Sequence, residues 1–156
     1  MKFHKIVVTS LAFGLSGAAA AQAIGKPEDQ IRWRQSVMQT LGWSMGRIKA
    51  NIEGTFNKDQ VVQAANTIQA LANSGSGALF QPGTESGKGW RETNVKGELF
   101  TNKDKLREVG TAYNKEANAM AQVAASGDAE AIKAQFGKLG KSCKGCHDEF
   151  RKEESK

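Results

Sequence analysis

Apolar residues recur at steps of three and four in four separate segments, and this periodicity constrains the fold more than any other feature. The segments predict helices over residues 27–52, 58–73, 102–125 and 128–152. No stretch alternates apolar and polar residues as a half-buried strand does. A Gly- and Ser-rich stretch, residues 74–89, is predicted to be a long surface connection. We therefore expect an all-α fold, an antiparallel up-down-up-down four-helix bundle.

Residues 1–21 have the layout of a secretory signal peptide. They begin with three basic residues, Lys2, His4 and Lys5. An apolar run follows that is too short to span a bilayer as a helix, and small residues then end the segment. Cleavage is expected after Ala21 or Ala23, so that residues 22–156 form the mature bundle in a periplasm. An uncleaved anchor is the alternative.

Removal of the leader changes two counts. The formal net charge falls from +6 to +4 because Lys2 and Lys5 are lost, and His147 becomes the sole histidine. Charges of both signs are mixed along the chain, which does not favour nucleic acid or membrane binding.

Both cysteines and this histidine lie in one motif, Cys143-Lys144-Gly145-Cys146-His147, on the apolar face of the fourth predicted helix. Positions i, i+3 and i+4 share a helix face, so we expect the three side chains to point together into the bundle. This spacing is the signature of c-type haem attachment, with thioether bonds from Cys143 and Cys146 and His147 as an axial iron ligand. The motif predicts one covalent haem c inside the bundle.

Three other uses of such a motif are a disulfide, a redox dithiol and a structural zinc site. A disulfide closing so short a loop would stabilise little. A dithiol redox site of the thioredoxin kind follows a strand, and no strand is predicted here. Structural zinc needs four ligands, and the mature chain has no further Cys or His.

The mature chain resembles the class II c-type cytochromes, and the cytochrome c′ family in particular. The matching segments are Lys26-Pro27-Glu28-Asp29, Trp33-Arg34-Gln35 with Met38, Pro82-Gly83-Thr84-Glu85, and the motif followed by Asp148-Glu149-Phe150-Arg151. The resemblance implies a four-helix bundle around one haem, and homodimers formed through the first two helices. Trp43 would then face a partner subunit or solvent.

The resemblance also implies a haem pocket. The implied lining residues are Arg34, Gln35, Met38, Glu92, Thr93 and Arg151. Arg34 would lie near a haem propionate, which would explain a charge within an apolar stripe; an exposed arginine is the alternative. Arg151 would lie on the His147 side and tune that ligand, or be exposed.

Met38 decides the function that the resemblance implies. In low-spin relatives a methionine at this place is the sixth iron ligand, which suits electron transfer. In cytochromes c′ a bulky residue shields a five-coordinate iron that admits NO and CO. We favour the five-coordinate form, since Trp33 matches cytochrome c′. A methionine in an apolar helical stripe commonly does no more than pack in the protein core, and we expect this of Met45.

The sequence shows no nucleophile–base pair, clustered carboxylates or phosphate-binding loop. We therefore expect a haem carrier that serves electron transfer, gas binding or both, with periplasmic redox proteins as partners, and not an enzyme.

Haem attachment is directly testable. Protein matured in a periplasm with working c-type maturation should gain the mass of one haem. Cys143→Ser or Cys146→Ser should leave at most one thioether bond. An unchanged mass for the unaltered chain would favour the dithiol reading instead.

Overall fold

The computed structural model describes residues 24–153, and within this range it is helical with no strand. The predicted leader lies outside the described residues. The helices are α1 (Pro27–Glu53), α2 (Lys58–Asn73), α3 (Glu98–Thr101), α4 (Lys103–Ser126) and α5 (Ala129–Phe150). The four long helices confirm the predicted bundle, and their limits lie within about two residues of those predicted.

Local capping explains where the helices begin. Pro27 occupies the first turn of α1, where its missing N–H costs nothing. The Asn57 side chain accepts a hydrogen bond from the backbone N–H of Gln60 and so caps α2. Asp128 caps α5 by accepting from the N–H groups of Glu130 and Ala131.

The bundle packs in chain order, with α1 on α2, α2 on α4 and α4 on α5, while α1 and α5 touch over a much smaller area. One apolar cluster fills the centre of the bundle. Its buried members are Ile48, Val61, Ala64, Ala65, Ile68, Ala72, Ala117, Met120, Ala124, Ile132 and Leu139. Burial of these side chains supplies most of the drive for folding.

A second, smaller apolar cluster lies at the end of the bundle where α5 stops. It is formed by Leu99, Phe100, Val109 and Phe150. The short helix α3 contributes two of these side chains, so the end of the long connection between α2 and α4 is part of the core.

Two predictions about this region need correction. The connection is not irregular throughout: it contains a 3₁₀ helix, Ser76–Leu79, and extends to Gly97. The fourth helix was expected to continue to Lys152, but it ends at Phe150. The backbone leaves the helix there because Val95 pairs with Arg151 and the Lys152 N–H donates to the Asn94 carbonyl at 2.7 Å.

Within residues 24–153, none of the helices combines the length and the apolar character that crossing a bilayer requires.

The α5 cap gives a stability prediction. Asp128→Ala removes the acceptor for two backbone N–H groups, so the free energy of unfolding should fall by about 1 kcal/mol. Glu53→Ala, in the exposed last turn of α1, is the matched control and should change it by less than about 0.5 kcal/mol. Equal losses in urea unfolding would contradict the role of Asp128 as a cap.

Candidate haem site

Cys143 and Cys146 lie on α5 where the two apolar clusters meet. Both side chains are half-buried, and neither is bonded to the other. Cys143 packs against the central cluster, whereas Cys146 packs against the smaller cluster at the end of the bundle. The two sulfurs therefore border an apolar region bounded by both clusters.

His147 is more exposed than the two cysteines. It is exposed, and it lines an open depression of about 510 Å³ together with Lys96, Asp148 and Arg151. Successive helix residues are about 100° apart, so His147 lies that far around α5 from Cys146 and falls at the rim of the buried face. Cys143, Cys146 and His147 thus share one face about 100° wide, with His147 at its solvent edge. That all three side chains point into the bundle stays a prediction. Within residues 24–153, no three His, Cys, Asp or Glu side chains converge to hold a metal ion.

The protonation of the motif residues follows from their burial. Burial raises the pKa of both thiols, Cys143 and Cys146. A reactive dithiol needs a lowered thiol pKa, so these cysteines do not suit dithiol redox chemistry. His147 is exposed at the surface, but its imidazole is partly covered by the protein. This partial burial, and then the positive charge of Arg151, lower the pKa of His147. This favours the neutral imidazole, the form that binds metals.

Arg34 lies in the first third of α1 and is buried, with 3% of its surface exposed, so the alternative of an exposed arginine is wrong. Its Nη1 donates to Thr84 Oγ1, and its Nη2 donates to the Thr84 carbonyl and to Thr93 Oγ1, each at 2.7 Å. The guanidinium also lies 5.2 Å from the centroid of the Phe80 ring. Burial lowers the pKa of Arg34, while the nearby Glu85 charge acts in the opposite direction.

Gln35 holds the next part of the connection. Its Nε2 donates to the Arg91 carbonyl at 2.8 Å, and its Oε1 accepts from the Trp90 N–H at 2.7 Å. Gly89 lies so close to α1 that a Cβ there would come within 2.7 Å of the Arg32 backbone nitrogen. Two consecutive side chains of α1 and one glycine thus fix residues 84–93 against the helix.

The far end of the connection is fixed to α5. The Lys96 N–H donates to the Phe150 carbonyl at 2.8 Å, and the Lys96 Nζ donates to the Asp148 carbonyl at 2.9 Å. The connection therefore joins the α1 side of the site to the α5 side.

The remaining predicted pocket residues are placed as follows. Thr93 is half-buried and contacts Arg34, whereas Glu92 is exposed and pairs its backbone with Lys88. Met38 lies one turn beyond Arg34 and is 44% exposed, outside both apolar clusters. Met45 packs against the central cluster, as expected. Arg151 is exposed beside His147.

Two residues near the site carried no signal of their own in the sequence. Thr84, 1% exposed, accepts twice from Arg34, and only the Pro-Gly turn before it hinted at a fixed position. Tyr113 on α4 has a buried hydroxyl without a hydrogen-bond partner among the described residues. Burial, then the neighbouring Cys143, raise the pKa of Tyr113 to about 12, so the phenol stays neutral. In the sequence, Tyr113 lies in an apolar stripe of period 3.6, and this pattern does not distinguish it from an ordinary core residue.

These residues fit a covalent haem. Two thiols one helical turn apart border an apolar region, and a neutral histidine follows them. Arg34 is buried, yet the hydrogen bonds it makes among the described residues go to neutral oxygens only, leaving N–H groups for an acid. A haem propionate is such an acid, and a buried cation requires a partner of this kind.

A helical bundle with a c-type haem attachment site is the class that these features define. The model of the family described as cytochrome C′ matches residues 29–151. Over 130 residues the chain is 58% identical to cytochrome c′ of Rhodocyclus tenuis, covering 83% of this chain and 98% of that one. Over 141 residues it is 46% identical to cytochrome c′ of Allochromatium vinosum, covering 90% of this chain and 91% of that one.

Solved structures agree. A cytochrome c′ with ligand-controlled dimer dissociation superposes with a TM-score of 0.81 at 46% identity, covering 84% of this chain and all of that one. A nitric oxide complex of a cytochrome c prime variant from Alcaligenes xylosoxidans gives 0.74 at 26% identity, again covering 84% and all. The chain belongs to the cytochrome c′ family. Its cofactor is covalently bound haem c, for which the two cysteines of the motif fit.

The hydrogen bonds of Arg34 give a prediction about the stability of the protein. Arg34→Lys replaces a planar fork with one ammonium group, which does not reach all three oxygens in the connection. The free energy of unfolding should fall by about 1–3 kcal/mol. Backbone amides in residues 84–93 should also exchange hydrogen faster.

Arg107→Lys is the matched control, because Arg107 lies on the surface of α4 in an ion pair with Asp104. It should change stability by less than about 0.5 kcal/mol. Unchanged exchange in residues 84–93 of Arg34→Lys would show that Arg34 does not hold the connection.

Proposed function

We propose that this chain is a periplasmic haem carrier with a five-coordinate iron, used for electron transfer, for binding of small gases such as NO and CO, or for both. The observation that carries the proposal is the position of Met38. It belongs to the stripe of α1 that contains buried Ile31 and Arg34, yet its side chain is part of neither apolar cluster. Packing into the protein core therefore does not explain it.

Each residue of the site would have a distinct role. Cys143 and Cys146 would hold the haem by thioether bonds, and His147 would supply one axial ligand. Arg34, with Gln35 beside it, would face the haem edge and balance the charge of a propionate. When bound, the haem supplies an iron that cycles between ferric and ferrous states and that takes a diatomic ligand when a coordination position is open.

Met38 would shield the second face of the iron. A thioether side chain is apolar and flexible, so it excludes water while letting a small neutral molecule pass. No histidine other than His147 follows the leader, so a bound gas would find no imidazole donor on that face. This composition favours NO and CO over O₂, whose bound form gains more from a hydrogen bond. The nitric oxide complex of the Alcaligenes xylosoxidans relative supports this part of the proposal.

The second candidate is a low-spin carrier in which Met38 is the sixth ligand. A Met/His pair raises the reduction potential and suits electron transfer alone. The exposed position of Met38 on α1 is compatible with this too, since an unpacked side chain is free to turn toward an iron. Direct measurement of the spin state separates the two.

The cellular setting belongs to the same proposal. Residues 1–21 would direct export and be removed after Ala21 or Ala23. The mature protein would form homodimers, as the dimer dissociation described for one relative supports. Trp43, 60% exposed and stacked beneath Arg47, is available to such an interface. The protein would exchange electrons with periplasmic redox proteins and would not act as an enzyme.

The spin state provides the test. The ferric haem-loaded protein should give high-spin absorption and EPR spectra, and the reduced protein should bind CO. Met38→Ala should keep the high-spin spectrum and accelerate CO binding, because the shield is removed. Met45→Ala is the matched control, since Met45 packs against the central cluster, and it should leave the CO rate nearly unchanged.

A low-spin ferric spectrum that becomes high-spin in Met38→Ala would overturn the five-coordinate proposal and establish the His/Met carrier.

A further inference from the structure

The solvent-facing surface of α5 carries only positive charge over most of its length. Between Ala131 and His147 the sequence has four lysines and no acidic residue. These lysines are Lys133, Lys138, Lys141 and Lys144, and all four are exposed. We call this surface the lysine face.

The other long helices balance their charges differently. The basic residues Arg32, Lys49 and Arg107 on α1 and α4 each have an acid three or four positions away, at ion-pair distance. On the lysine face only Lys144 has such a partner, Asp148, at its very end. Lys138, Lys141 and Lys144 instead follow one another at three-residue steps, where like charges repel.

The same surface is poor in side chains. Gly137, Gly140 and Gly145 lie on α5, and a Cβ built on any of them would meet nothing within 4 Å. Glycine is the weakest helix former after proline, so neither packing nor helix propensity accounts for three of them. Lysine repulsion and glycines inside the helix both weaken it. This surface therefore departs from both the charge spacing and the residue types that stabilise a helix, which indicates a function other than folding.

The lysine face lies beside the haem attachment motif. At about 100° per residue, Lys133, Gly137, Gly140 and Lys144 form a line along α5 that continues to His147. Between Lys133 and Lys144 this line presents two glycines, so another protein that rests there approaches the helix backbone close to the motif. Approach to the haem edge is what electron exchange between two proteins requires.

We propose that the lysine face is the docking surface for an acidic electron-transfer protein. This inference rests on the proposed haem function. Charge complementarity selects the partner: a protein with a cluster of carboxylates is steered to four exposed lysines, of which only Lys144 is paired with an acid. Steering of this kind raises association rates by about 10- to 1000-fold at low salt. One electron passes between the two proteins, so that one is oxidised and the other reduced, and no bond forms or breaks.

Reduction of the ferric holoprotein by flavodoxin hydroquinone, an acidic one-electron donor, tests the proposal in a stopped-flow instrument. The variant Lys133→Glu with Lys141→Glu reverses two charges of the lysine face outside the motif. Its second-order rate constant at about 10 mM ionic strength should be at least about fivefold lower than that of the unaltered protein. The difference should shrink at about 200 mM salt, where the screening length falls below about 8 Å.

Lys49→Glu with Lys115→Glu is the matched control, since it makes the same change in net charge on exposed sites of α1 and α4. Its rate constant should change less than twofold. Lys133→Arg with Lys141→Arg keeps the charge and should retain the full rate. The haem absorption spectrum and CO binding of all variants should match the unaltered protein, which shows that folding and the haem site are intact.

Equal slowing of the two Glu variants would overturn the proposal, because net charge alone would then set the rate. Salt-dependent binding to phosphatidylglycerol vesicles that is lost in Lys133→Glu with Lys141→Glu, without a change in the flavodoxin rate, would overturn it in favour of a membrane surface. Failure of the proposed function looks different: the unaltered ferric protein would be low-spin and the reduced protein would not bind CO, whatever the rates of reduction of the variants.

Discussion

A single buried cation organises the surroundings of the haem motif. Arg34 is taken out of water by α1, and it recovers hydrogen bonds from Thr84 and Thr93, both in the long connection between α2 and α4. Because a buried guanidinium without partners is very costly, the connection is forced to close against α1. The turn at Thr84, the stacked Phe80 ring and the close approach of Gly89 all follow from this closure.

The connection has a second anchor, where its backbone pairs with the end of α5. Lys96 and Val95 meet Phe150 and Arg151, a few residues beyond the haem motif. One segment thus joins the helix that would shield the iron to the helix that would bind it. α1 and α5 make few direct contacts with each other, so their separation depends largely on the contacts that each makes with the connection.

The sequence was sufficient for the bundle and for the motif. Period-3.6 stripes, an Asn and an Asp at cap positions and the spacing of Cys143, Cys146 and His147 are local patterns, and local patterns are readable without coordinates. The contacts of Arg34 were not readable, because they join residues 50 or more positions apart. The end of α5 was predicted two residues too late for the same reason. Arg151 leaves the helix to pair with Val95, and the residues around Arg151 in the sequence do not indicate this pairing.

The pairing between the connection and the end of α5 also has a consequence for the order of folding. α1 with α2, and α4 with α5, join neighbours in the chain and form early, whereas pairing Lys96 with Phe150 closes a long loop and is slow. The thiols of Cys143 and Cys146 are most accessible before this step. Haem attachment therefore suits a partly folded chain whose helices exist but whose connection has not yet closed.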